Sequence, residues 1–154
     1  MASSYKQQAL IEAPVEKVWA LLEDPERFPE WSGTMEVTGA PTRIEKGSTF
    51  ELTSRGPLGR KSTTTFEVAE LEDLHEIKLL CQRSGYYSHW ALTDARGSTF
   101  ADVEFGVEPR PGLEARAVGA LHTKRYLRRT LEQTLDGLRR ALGRASAGRE
   151  TAHP

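Results

Sequence analysis

The sequence predicts an α+β domain: a curved antiparallel sheet of seven strands, two short helices after the first strand, and a long C-terminal helix covering the sheet. Three observations carry this. Pro14 stands where a helix can start, since its missing N–H has no intrahelical partner there, and Asp24-Pro25 ends that helix by forcing residue 24 out of the α region. Residues 35–108 alternate apolar and polar side chains with a period of two, broken by glycine-bearing turns. From about Ala115 to Leu142 nothing interrupts a helix except Gly119 and Gly137.

Tyr5–Glu12 reads as the first strand, with Ala9 and Ile11 on one side. Val15, Val18, Trp19 and Leu22 recur at helical spacing over residues 14–23, and residues 25–31 form a second short element presenting Phe28 and Trp31. Met35–Arg43 alternates Met35, Val37 and Gly39 against Glu36 and Thr38. Ser48–Ser54 sets Phe50, Leu52 and Ser54 on one face, and Arg60–Leu71 does the same with Ser62, Thr64, Phe66 and Val68. Between them lies the breaker-rich loop Arg55-Gly-Pro-Leu-Gly59. Glu76–Arg83 is apolar at Ile77, Leu79 and Cys81; Tyr86–Thr93 places Ser88, Trp90 and Leu92 together. After the turn Asp94–Gly97, Ser98–Glu108 aligns Ala101, Val103, Phe105 and Val107, and Pro109 and Pro111 end the ladder.

At 154 residues the chain is one domain, with the fold expected over residues 1–142 and a flexible polar tail over 143–154. A hydrophobic content of 38% against 28% charged residues is that of a soluble globular protein. The net charge of −1 exerts no global pull on nucleic acid or anionic membrane. The single cysteine, Cys81, excludes an internal disulfide. No apolar run reaches the roughly 18–20 residues that span a bilayer. With no signal-like N-terminus, the expected compartment is the cytoplasm.

Four pieces carry a family likeness: Ala13-Pro14-Val-Glu-Lys-Val-Trp19, Asp24-Pro-Glu-Arg-Phe-Pro-Glu-Trp31, Gly97-Ser-Thr-Phe-Ala-Asp-Val-Glu-Phe105, and the leucine-rich closing helix. In the order β-α-α-β-β-β-β-β-β-α, residues 4–142 resemble the START-like (SRPBCC) superfamily of polyketide cyclase/dehydrase and lipid-transport-like proteins. The resemblance implies a helix-grip fold with a ligand cavity between sheet and terminal helix. It leaves activity open, because the family ranges from aromatase/cyclases to lipid carriers, hormone receptors and chaperone activators.

The face assignments put Phe50, Leu52, Ser54, Ser62, Thr64 and Phe66 on the concave wall, continued by Leu79, Cys81, Ser88, Trp90, Val103 and Phe105. Ala120, Thr123 and Leu127 fall on the inward side of the last helix, and the resemblance implies that the first half of that helix roofs the cavity. Phe28 and Trp31 are candidate entrance residues, gating a ligand or plugging the end of the sheet. Tyr86 and Tyr87 follow the Gly85 turn, where one of them could close the cavity mouth. Arg83 either faces a ligand carboxylate or snorkels out at its strand end. His89 alternates with Trp90 and so belongs on the outer face unless a bulge reverses it, as do Asp102 and Glu104. Tyr86, His89 and Arg83 are the candidate acid/base groups, with Thr123 behind them.

His75, His89, His122 and His153 show no metal-ligand spacing, so no metal and no cofactor are expected. A nucleophile elbow and a Walker ending are absent. The cations from Lys124 to Arg144 read as a solvated helix face rather than a nucleic-acid site, and membrane insertion is not expected. Three functions follow. The first is binding of a hydrophobic or aromatic small molecule, lipid-like or polyketide-like. The second is a cyclase/dehydratase that folds a flexible substrate. The third is a protein-interaction module using the cationic helix or the Phe28/Trp31 edge.

Overall fold

The structure is a computed structural model that describes residues 3–55, 59–108 and 124–151, with side chains described from Ser4 to Arg144 within those ranges. The elements are β1 (Ser3–Ile11), α1 (Val15–Leu22), a 3₁₀ turn (Pro25–Arg27), α2 (Phe28–Trp31), β2 (Thr34–Thr38), β3 (Thr49–Arg55), β4 (Lys61–Glu72), β5 (Glu76–Cys81), β6 (Tyr86–Ala95), β7 (Ser98–Val107) and α3 (Lys124–Thr151). One antiparallel sheet runs β1-β7-β6-β5-β4-β3-β2. Strands β2 to β7 therefore form a meander, and β1 returns to pair with β7 from Ser3 opposite Val107 to Ile11 opposite Thr99.

Local chemistry sets the corners. Pro14 precedes α1 in an extended conformation and lends its carbonyl to the first helical N–H groups. Asp24 caps the 3₁₀ turn by accepting from the Glu26 N–H at 3.1 Å. The β6–β7 hairpin turns on Arg96 and Gly97, both at positive φ, as a two-residue connection between right-twisted strands requires. Buried Thr99 ties the start of β7 to the entry of α1, donating its hydroxyl to the Ala13 carbonyl at 2.8 Å.

Two strands depart from simple alternation: β4 shifts register against β5 between Val68 and Glu70, and β2 departs further. β2 ends at Thr38 rather than Arg43, and its register with β3 shifts between Thr34 and Glu36. That bulge takes Met35 off the inner face and leaves it 43% exposed, while Val37, opposite Leu52, stays half-buried.

The concave face of the sheet is closed by α3. Leu127, Leu131, Leu135 and Leu138 are fully buried, Ala141 nearly so, and Glu132, Gln133, Asp136, Arg139 and Arg140 face outward. The helix does not stop at Leu142: it continues through Gly143 to Thr151, across most of the segment expected as a tail. The expected start near Ala115 lies outside the described residues. Gly137 does not break the helix. It is the point where α2 docks, since a Cβ there would lie 2.0 Å from the Trp31 carbonyl oxygen.

Candidate ligand site

The concave face has two unlike ends. At the α2 end, Phe28 and Trp31 are buried in a train of edge-to-face aromatic contacts. Phe28 meets Phe50 at 6.1 Å between centroids and Trp31 at 5.6 Å; Trp31 meets Trp90 at 5.8 Å, and Trp90 meets Phe105 at 6.4 Å. The Trp31 indole N–H is spent on the Leu21 carbonyl at 3.1 Å. The two aromatics expected as entrance residues are thus a plug. They are covered because α2 packs on the Gly137 side of α3 while Arg144 donates to the Glu30 carbonyl from above.

Toward the other end the wall changes character. Tyr5 pairs with Phe105, Phe105 with Ser88, and Ser88 with Leu79, so these four share one row on the concave face. The next row toward the plug is Gln7, Val103, Trp90 and Ile77. On the far side Cys81 faces Phe66, which faces Phe50, and Thr64 faces Leu52. Phe50, Leu52, Leu79, Cys81, Val103 and Phe105 are buried, whereas Tyr5, Ser54, Thr64, Phe66, Tyr86 and Ser88 keep partial access. Across these rows the polar groups are hydroxyls, one amide, one thiol and the Trp90 indole, with no carboxylate, ammonium or guanidinium among them.

Tyr86 is the telling residue. Its ring packs edge-on against Phe105 at 6.1 Å, and desolvation drives its pKa well above the ordinary phenol value, with the nearby Tyr126 phenol and Cys81 thiol adding to the shift. Tyr87 makes the contrast. It has less accessible area than Tyr86 but sits on the outer face against Gly106 and under the Lys78 ammonium, 4.6 Å from its ring centre. Its pKa is pushed up to about 12, by desolvation first and by Glu104 next. Depth and accessible area thus rank the two tyrosines in opposite order. Depth decides the desolvation, because Tyr86 lies between sheet and helix while Tyr87 lies under one layer of surface side chains.

The other sequence candidates separate cleanly. His89 is on the convex face, with Nε2 2.6 Å from Glu76 Oε1, in register between Lys78 and Glu104. No bulge reverses β6, so the alternation that places Trp90 inward places His89 outward. Asp102 and Glu104 lie on the same outer surface, Glu104 paired with Lys6 at 3.6 Å. They border an open groove of about 340 Å³ that Lys6, Gln8, His89 and Ala91 also line. Arg83 is exposed in the β5–β6 turn and not on the inner wall, because β5 ends at Cys81. Ser62 is exposed at the start of β4. Leu127 is fully buried; Ala120 and Thr123 lie outside the described residues. Sequence reasoning misses Tyr5, Gln7 and Tyr126 as wall residues, although Tyr5 and Gln7 continue the Ala9–Ile11 face at period two. No cluster of three or more histidine, cysteine or acidic side chains suited to a metal occurs among the described residues.

Sequence and structure comparisons agree with this architecture. Residues 3–143 match the family described as polyketide cyclase/dehydrase and lipid transport. The chain belongs to that family. A START superfamily protein from Mycobacterium smegmatis superposes with a TM-score of 0.71 at 17% identity, covering 92% of this chain and 98% of the other. An AHSA1-like protein from Aeromonas hydrophila gives 0.67 at 18% identity, with 94% of each chain covered. The di-domain ARO/CYC StfQ of the steffimycin biosynthetic pathway gives 0.66 at 18% identity, over 92% of this chain and 50% of that one. At such identities these neighbours speak to the START-like helix-grip fold alone. No curated protein matches the sequence. No described helix is long and apolar enough to cross a membrane.

Proposed function

We propose that this family member binds an uncharged hydrophobic or aromatic molecule, lipid-like or polyketide-like, between the Tyr5/Tyr86 end of the sheet and the start of α3. One observation carries the reading: Tyr86 shares the inward face with buried Phe105, 6.1 Å between ring centroids, yet it retains accessible surface. A deep residue with accessible surface borders space that neighbouring side chains do not fill. The walls supply hydrogen bonds from Tyr86, Ser88, Thr64 and Ser54 without a formal charge. A buried ionised ligand would find no counter-charge on these rows and would pay its full desolvation cost. A neutral ligand with carbonyl or hydroxyl oxygens meets matching donors. The expected compartment is the cytoplasm.

The test compares two dyes that differ by one charge, N-phenylnaphthylamine and its anilinonaphthalene sulfonate analogue. The uncharged dye should bind with at least about tenfold higher affinity, since excluding one unpaired charge is worth more than about 1.4 kcal/mol. Failure of both dyes to bind, together with native mass spectrometry showing only the bare chain, would refute the reading.

A catalytic reading is favoured by one feature of the same wall. Tyr86 presents a neutral phenol on the concave face, its ring edge-on to Phe105, and a phenol can polarise a substrate carbonyl by hydrogen bonding. A cyclase/dehydratase would use that bond while the curved wall folds the substrate. Turnover of a poly-β-keto substrate that Tyr86→Phe abolishes, with dye affinity intact, is the expected sign of it; turnover unchanged in that variant removes Tyr86 from the chemistry.

A further inference from the structure

We propose that the outward face of α3 docks the protein peripherally on an anionic lipid surface. Charge is segregated along this chain. Residues 124–144 hold seven basic side chains against Glu132 and Asp136, so a net charge of −1 divides into +5 on this stretch and −6 on everything else. Lys124, Arg125, Arg128, Arg129, Arg139, Arg140 and Arg144 are all exposed. Among the described residues only Arg128 of these makes a salt bridge, to Glu132 at 3.2 Å. Arg139 and Arg144 each place one N–H on a backbone carbonyl, of Leu10 and of Glu30, which orients them; the Arg144 charge also acts on the Glu30 carboxylate. From Arg125 to Arg140 the array spans about 22 Å of helix.

The form of this surface selects the kind of partner. The outward face is convex, and its described positions between Lys124 and Arg144 are charged or polar or glycine, with no exposed aromatic or aliphatic anchor. A protein interface draws its affinity from a few buried apolar or aromatic anchors, which are absent here. Single-stranded nucleic acid would need bases stacked on exposed aromatics, also absent. A fluid layer of anionic headgroups asks for neither, because mobile lipids gather under scattered arginines and the attraction sums over them. Arginines suit phosphate particularly well, presenting a planar fork of donors. The inference does not depend on what the concave face holds.

The experiment is co-sedimentation of the full chain with vesicles of phosphatidylcholine alone or with about one-third phosphatidylglycerol, at low salt and at about 0.5 M, where the Debye length shrinks to a few ångströms. The expected result is binding to the anionic vesicles only, weakened at least about tenfold by high salt. Arg125→Glu/Arg129→Glu/Arg140→Glu should abolish it, whereas the corresponding triple lysine variant should retain most of it. Thermal melting shows whether each variant is folded; a misfolded glutamate variant is replaced by the triple glutamine variant, with the same expectation. Absence of binding to anionic vesicles at low salt would overturn the proposal. So would equal binding to phosphatidylcholine alone, unaltered binding by the folded charge variants, or tighter binding to a duplex DNA competitor than to the vesicles.

Discussion

At the α2 end of the concave face, Phe28, Trp31, Trp90 and Leu138 are buried against one another, whereas at the Tyr5 end Tyr5, Tyr86 and Ser88 keep part of their surface. The same strands build both ends, so strand chemistry does not account for the difference. What differs is the cover. The plug end lies under α2 and the leucine-rich part of α3, with α2 drawn to backbone contact at Gly137. At the other end the described part of α3 offers Tyr126 over a wall of small hydroxyl residues. One end is packed shut, whereas the other leaves its described side chains partly accessible.

The comparison breaks most visibly at Trp31. Trp31→Ala removes two aromatic contacts and the indole bond to Leu21, and should cost about 3–5 kcal/mol in denaturant unfolding. A loss below about 1 kcal/mol would mean that the plug end is loosely packed and that the two ends are alike.

Two glycines of α3 give a sharper, smaller test. Exposed Gly143 has open space where a methyl group would stand, with nothing within 4 Å, so Gly143→Ala should stabilise by up to about 1 kcal/mol through helix propensity. Gly137→Ala carries the same propensity gain but drives its Cβ to 2.0 Å from the Trp31 carbonyl oxygen. Backbone cannot yield as a side chain would, so a net loss of about 1–3 kcal/mol is expected. Opposite signs for the two substitutions confirm the α2 docking; stabilisation by both removes it.

Much of this was legible from the chain. Pro14, Asp24-Pro25 and the period-two runs located the elements within a few residues, because backbone rules at proline and side-chain alternation act locally. The inward positions of Phe50, Trp90 and Phe105 and the outward position of His89 follow from that alternation. Met35 escaped it, since a bulge depends on the partner strand and not on the residues that form it. Phe28 and Trp31 could be recognised as a pair, but their burial depends on Gly137, far along the chain at the middle of the last helix. Tyr126 was legible only as a flank residue, because its nearness to Tyr86 is set by how the helix crosses the sheet.

The finest test of the open end is alkaline stability. Tyr86 has a folded-state pKa raised above its ordinary value of 10.0, mainly by desolvation, so folding favours its neutral form. Its contribution is fully present below about pH 10. As pH rises past that point the unfolded chain releases the phenolic proton while the folded chain keeps it, and stability falls by up to about 1.4 kcal/mol per pH unit for that group. Tyr86→Phe should therefore change stability by no more than about 1 kcal/mol at neutral pH and visibly flatten the decline between about pH 10 and 11. Tyr87→Phe should flatten it almost as much over that interval, because a folded-state pKa of about 12 also lies above it, and the two variants part only above about pH 12. Denaturant titrations of both variants across that interval decide the point. A decline that Tyr86→Phe leaves unaltered would mean that the Tyr86 phenol titrates alike in the folded and unfolded chain and is not desolvated.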